Sequence, residues 1–366
     1  MKISMRAVFS ALVVTAVSAI CAPAPGQDAG RTAQITVHGA GLAGTATDEN
    51  PDRQVSVYLP PGYDRDRRRR YPVVYLLHGI AGTDQDWFPA ARPYLNIPDV
   101  MDREIARGAV AEMIVVMPDA SSNYLGSFYV NSSATGAWED FIVEDLVQHI
   151  DENYRTLAVR ESRGIAGHSM GGYGAIRIAM RHADKFSVAF AISPGVLGWG
   201  GDISAENGAF GEVLAARDFS ELYAPTPHDN ANMFYKASIV AVARAFSPNP
   251  ERPPFYADFP FRLEEGALVP DPEIYEKWTE MQPLAVVERH ADALRTLRGL
   301  KFDVGYNDQY SHIPLTTRAL SLKLSDLGVP HVFEEYNGDH RNRLWGPQGR
   351  LATEVFPYFS RLLDVE

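Results

Sequence analysis

The chain switches between short, wholly apolar runs and longer stretches in which apolar residues recur every three or four positions. Six runs have the length and composition of strands buried on both faces: "PVVYLLHG" (72–79), "EMIVVMPD" (112–119), "RGIAGHS" (163–169), "FSVAFAIS" (186–193), "GLKFDVG" (299–305) and "PHVFEEY" (330–336). A seventh, "RQVSVYLP" (53–60), alternates polar and apolar residues and stops at the turn signal "PPGYD". Helical periodicity fills several intervals, at "EDFIVEDLVQHIDENY" (139–154), "MGGYGAIRIAMRHADKF" (170–186) and "TTRALSLKLSDLG" (316–328). Strands alternating with helices predict an α/β fold: a mostly parallel central sheet flanked by helices on both faces.

The rhythm fails once. Between Gly195 and about Arg298 no buried strand is visible, only aromatic- and proline-rich sequence such as "NPERPPFYADFPFRLEEG" (248–266). A structureless loop of that size does not suit a compact domain. Residues 196–298 are therefore expected to form a helical, cap-like insertion within one domain spanning 27–366.

The first 26 residues follow a different pattern. Lys2 and Arg6 precede the apolar run "AVFSALVVTAVSAI" (7–20), too short to span a bilayer comfortably, and small residues and prolines follow. This is the pattern of a cleaved secretory signal peptide, which places the mature protein in the periplasm or outside the cell, without stable membrane insertion. Lipid attachment at Cys21 is the alternative, disfavoured by Ile20 where a small residue belongs. Cys21 is the only cysteine, so the mature chain holds no internal disulfide and depends on its core.

Composition adds exclusions. The chain is 46% hydrophobic and 22% charged, which is ordinary for a globular protein. Its net charge of −12 argues against nucleic acid as a partner. The basic run "DRDRRRRY" (64–71) reads as a solvated loop between two strands. No group of Cys, His and acidic residues has metal-ligand spacing, so neither a metal nor another cofactor is implied. Oligomeric state leaves no mark in the pattern.

Candidate chemistry centres on "GIAGHSMGGYG" (164–174), where Ser169 falls between a buried strand and a helix. Such a turn strains the serine and lifts its hydroxyl off the sheet. Side chains at positions 167 and 171 would collide with neighbouring elements, which accounts for the glycines. A serine nucleophile needs main-chain donors for a developing oxyanion. The N–H of Met170 is one, and "YLLHGIAG" (75–82) places the N–H of Ile80 as the other. It also needs a base: His340, in the polar loop after the last strand, fits the order Ser…Asp…His better than His290, His312 or His331. His78, at a strand end before a glycine, reads as a packing residue. Asp308, just past the end of a strand, is the expected acid, whereas Asp303 lies within that strand and Asp339 adjoins the base. Trp87, Trp138 and Tyr173 flank these motifs and are expected to contact substrate.

The segments "VYLPPGY", "PVVYLLHGIAG", "WEDFIVEDLVQHIDENYRT", "GIAGHSMGGYGAIRIAM", "FDVGYNDQY" and "YNGDHRNRLW" together resemble the esterase D, or putative esterase, family of α/β-hydrolases. That family includes S-formylglutathione hydrolases, feruloyl and acetyl-xylan esterases, tributyrin esterases and mycolyltransferases. The resemblance covers roughly residues 50–195 and 299–362. It implies hydrolysis of carboxylic esters, small or carbohydrate-linked, through an acyl-enzyme, with Ser169, Asp308 and His340 as nucleophile, acid and base. Transfer of the acyl group to a sugar hydroxyl, and a binding protein that retains the fold without activity, are the alternatives.

Overall fold

The computed structural model describes residues 29–91, 95–222 and 230–366; the side chains of 230–232 and the leader segment, with Cys21, lie outside the described residues. All but the last of the continuous apolar runs become strands whose side chains enter the buried core. In Val73–Leu77, Val73, Tyr75 and Leu77 join one buried cluster while Val74 and Leu76 join the other. Each fully buried Val or Leu contributes about 1.5–3 kcal/mol, so filling both layers is a large part of what holds the strand in place.

Eight strands form the sheet: β1 (Arg31–His38), β2 (Asp52–Leu59), β3 (Val73–Leu77), β4 (Ile114–Pro118), β5 (Arg163–His168), β6 (Val188–Ile192), β7 (Gly299–Gly305) and β8 (Val332–Tyr336). Their spatial order is β1-β2-β4-β3-β5-β6-β7-β8. β1 and β2 pair antiparallel, as do β2 and β4, and every other pairing is parallel. All seven expected strands are present, but Val332–Tyr336, expected to be buried on both faces, is a partly exposed edge strand. β1 is an addition: an edge strand, mostly exposed on one face, whose alternation in "RTAQITVH" is that of a half-buried element.

Among the helices that flank the sheet are α1 (residues 138–153), α2 (Met170–Arg181) and α3 (His312–Asp326). α1 is regular at its ends and π-helical over Phe141–Leu146, a wide turn that lets Phe141 and Leu146, five residues apart, share the core face. Residues 196–298 carry several helices, the longest Asn230–Phe246, and one surface hairpin, Phe261–Glu264 with Ala267–Pro270. The basic run is exposed over residues 64–70, and there Arg65 and Arg69 face the Glu112 carboxylate.

Candidate active site

The carboxyl ends of β3, β5, β6, β7 and β8 lie at one edge of the sheet, and the loops that leave them build a single cavity. Ser169 is the hinge residue between β5 and α2, at φ 59° and ψ −115°. This is a conformation that costs a non-glycine residue about 1–3 kcal/mol and persists only where its surroundings enforce it. They do so here through main-chain bonds: the Ser169 N–H donates to the Ile192 carbonyl (2.9 Å), and its carbonyl accepts from the N–H groups of Tyr173 (3.0 Å) and Gly195 (3.1 Å). The neighbouring glycines are required by close approach. A Cβ on Gly167 would stand 2.3 Å from the Gly171 carbonyl, and one on Gly171 would stand 2.1 Å from the carbonyl oxygen of Leu77 in β3. The start of α2 is therefore pressed directly onto the sheet, and its first-turn N–H groups have no partner within the helix.

Ile80 sits in the turn after β3. There Ala81 N–H donates to the Leu125 carbonyl (2.6 Å) and Gly82 N–H to the Gly79 carbonyl (3.1 Å), while the Ile80 N–H takes no part. His78, expected to pack, holds this turn in place. Its Nε2 accepts from the Ala120 N–H (2.9 Å), which leaves Nδ1 to donate to the Gly79 carbonyl (2.8 Å). Burial pulls its imidazole below the ordinary value, consistent with a neutral ring in that tautomer.

Asp308 and His340 come from different loops, joined by main-chain bonds. The Asn307 N–H donates to the Gly338 carbonyl (3.0 Å), and Gly305 lacks the Cβ that would meet that same oxygen at 2.4 Å. His340 Nδ1 and Asp308 Oδ2 are 2.7 Å apart and both side chains are buried. The Tyr310 N–H donates to the other carboxylate oxygen (2.9 Å). The two remaining acids are engaged elsewhere. Asp303 accepts from Arg350 Nε (2.6 Å) in the core, and Asp339 accepts from the N–H groups of Arg341 (2.8 Å) and Asn342 (2.7 Å). His168, beside Ser169, bonds through Nε2 to the main-chain carbonyl of His340 (2.8 Å), tying the two loops together.

Burial disfavours charge on either member of the pair. It pulls the His340 imidazole below its ordinary value, with Arg341 and His312 acting in the same sense, and pushes the Asp308 carboxyl up. The ring is thus neutral near pH 7, with Nδ1–H directed at Asp308 and Nε2 left to accept a proton.

Ser169, His340, Ile80, Met170 and Trp87 all line the cavity, whose volume of about 80 Å³ exceeds what one water needs and admits an organic group. Trp138 and Tyr173, expected at the substrate, do not line it. Trp138 begins α1 and points into the core, where Nε1 donates to the Thr135 carbonyl (2.7 Å) and Arg53 covers the ring. Tyr173 lies on the inner face of α2, buried against Phe128 and Phe246, with its hydroxyl on the Met281 carbonyl (2.7 Å). The aromatic walls come instead from Phe128, Phe234, Trp278, Tyr310 and Trp345. Phe234 and Trp278, with Tyr235, belong to the 196–298 segment, so that segment forms part of the cavity wall.

This topology is that of the α/β-hydrolases, and the comparisons with known proteins agree. Residues 46–353 match the family described as Putative esterase, and the chain belongs to that family. A protein named Esterase MT1326 from Mycobacterium tuberculosis is 39% identical over 139 residues, 37% of this chain and 27% of that protein. An endo-1,4-beta-xylanase/feruloyl esterase from Xylanibacter ruminicola is 32% identical over 143 residues, 38% of this chain and 19% of that protein. The matches thus span about a quarter or less of these relatives' length. Among solved structures, a ferulic acid esterase superposes with a TM-score of 0.61 at 23% identity, covering 93% of this chain and all of that one. An S-formylglutathione hydrolase from Agrobacterium tumefaciens gives 0.56 at 17% identity, covering 92% and 97%. At such identities the likeness is one of fold.

Proposed function

We propose that the protein is a serine carboxylesterase. The observation that carries this reading is Ser169, held at positive φ in the same cavity as an imidazole whose far nitrogen is fixed 2.7 Å from a buried carboxylate. The Ser169 hydroxyl attacks the ester carbonyl as His340 Nε2 takes its proton. The N–H groups of Ile80 and Met170 hold the resulting oxyanion. As the tetrahedral intermediate collapses, His340 returns the proton to the departing alcohol. Water then attacks the acyl-enzyme, again through His340, and the acid leaves while Ser169 regains its hydrogen. Asp308 keeps the ring in the working tautomer.

An acyl group of short-chain, acetyl or feruloyl type suits the cavity, which Trp87 and the aromatic walls enclose. The relatives named as feruloyl or ferulic acid esterases support the aromatic end of this range. Residues 1–26 add the reading that the enzyme works after export, which Edman sequencing of the mature protein checks: a new N-terminus between residues 19 and 27 is expected, and an intact Met1 contradicts it. For the activity, nitrophenyl esters of graded acyl length, beside feruloyl and acetylated-sugar esters, provide the test. Release of one acid per alcohol is expected for at least one of them, and a folded protein inert to all contradicts the reading.

The protonation of His340 sets a further expectation. The base works only when neutral, and burial lowers its pKa, so the acid limb of kcat/KM should fall below the ordinary imidazole value of about 6.5. Activity is expected to persist at pH 6 and to fail at lower pH. A limb centred at or above about 6.5 contradicts this account of the site.

A further inference from the structure

A second histidine–carboxylate pair brings another imidazole to the cavity that His340 lines. His312 opens α3 and is 6% exposed. Asp202, in the 196–298 segment, receives two bonds from it at one oxygen, from the main-chain N–H and from Nδ1, each 2.7 Å. Burial pushes the Asp202 carboxyl up, but the hydrogen bonds it accepts from His312 outweigh it and hold the group well below the usual carboxylate range. A carboxylate that accepts from Nδ1–H fixes the ring's tautomer, so Nε2 of the neutral imidazole is an acceptor.

That Nε2 is buried, lines the cavity and has no hydrogen-bond partner among the described residues. A Cβ on Gly195 would lie 3.8 Å from it and 3.9 Å from the main-chain carbon of Ser169. The bare glycine therefore leaves a gap, a heavy atom or two across, between the ring nitrogen and the serine. Buried acceptors are rarely left unmet, and the group that meets this one must carry a hydrogen to donate. The pair also lies towards His340, the group that returns a proton to the departing alcohol in the reading above. Tyr310, two residues before His312, packs edge-on against the His340 ring with centroids 4.8 Å apart. Val242 and Trp278 add apolar lining that suits the acyl group.

We propose that His312, oriented by Asp202, accepts a hydrogen bond from a hydroxyl on the alcohol portion of the ester, so that the site prefers esters of polyols or sugars to esters of plain alkanols. This rests on the esterase reading above. Asp202 also fastens the inserted segment to the start of α3, so the test must separate recognition from that clamp.

Two butyrates of similar size serve, 1-monobutyrin and propyl butyrate, which differ in the hydroxyls of the alcohol. His312→Asn keeps an amide nitrogen near the position of Nδ1, facing Asp202, and removes Nε2. His312→Gln extends its amide towards the position of Nε2. The unaltered enzyme is expected to favour monobutyrin. In His312→Asn the ratio of kcat/KM between the two esters should fall about tenfold or more, mainly through KM for monobutyrin, and His312→Gln should restore part of it. An unchanged ratio overturns the proposal, whether both rates fall together, as loss of the clamp or of the chemistry would produce, or neither moves. Failure of the unaltered enzyme to cleave either butyrate while it cleaves another ester of the panel above overturns this inference alone, and failure on every ester overturns the esterase reading and this inference with it.

Discussion

Replacing Ser169 with alanine is expected to lower turnover by about 10⁴- to 10⁶-fold, the loss seen when a serine nucleophile is removed from a working triad. The fold should survive. The main-chain bonds of residue 169 to Ile192, Tyr173 and Gly195 do not involve the hydroxyl, and alanine at φ 59° is strained as serine is. The melting temperature should therefore stay close to that of the unaltered protein. Ser169→Gly should be equally inactive yet more stable, by about 1 kcal/mol, because glycine relaxes the strained backbone. Greater stability without the hydroxyl would mark the strain as serving the chemistry. Substantial turnover in folded Ser169→Ala would contradict the assigned nucleophile.

The second large effect concerns the glycine behind the serine. In Gly171→Ala the new Cβ would stand 2.1 Å from the Leu77 carbonyl oxygen, 2.6 Å from its carbon and 2.8 Å from the His78 carbonyl oxygen. All three are backbone atoms of the central sheet and the turn leaving it, so the helix must move and the sheet cannot yield. The expected cost is about 3 kcal/mol or more, at the upper end for overpacking, with a fall in melting temperature of several degrees. Activity should fall too, because the same displacement carries the Met170 N–H and the Ser169 hydroxyl away from His340. Gly211→Ala provides the contrast. That residue lies in the helix Ala209–Ala215 with nothing within 4 Å of a new Cβ, and the substitution should stabilise by up to about 1 kcal/mol. Thermal unfolding of the two variants side by side checks both signs, and an unshifted Gly171→Ala would show that α2 does not rest on β3 as described.

The sheet was legible because parallel strands buried on both faces leave unbroken apolar runs, and a run such as "PVVYLLHG" admits few other readings. β1 escaped because an edge strand with one wet face writes only a weak alternation, and its neighbour β2 already accounted for the turn signals. The turn at Ser169 was legible for a steric reason: only glycine fits at 167 and 171, so the geometry is written in residue type. Loop acids sort by similar logic. Asp303 alternates into the core while Asp308 stands beyond the strand end.

Aromatic residues carry no such mark. Trp138 and Tyr173 sit within the motif segments, yet which way each points depends on helix phase and on what packs above, so proximity in sequence misled. Trp278 and Phe234 reach the cavity from the inserted segment, whose fold no local pattern fixes. The pairing of His312 with Asp202 spans 110 residues with no spacing signal between them, and Asp202 drew no notice in a glycine-rich stretch of the insertion. Only the folded chain puts the two side chains in contact.

The most direct test of the central claim is to trap the acyl-enzyme. After brief incubation with a fluorophosphonate or a slowly released nitrophenyl ester, proteolysis and mass spectrometry should find one adduct per chain, on the peptide containing Ser169, and none in denatured protein. An unmodified Ser169 peptide from folded protein, or an adduct located only at another residue, would contradict the account.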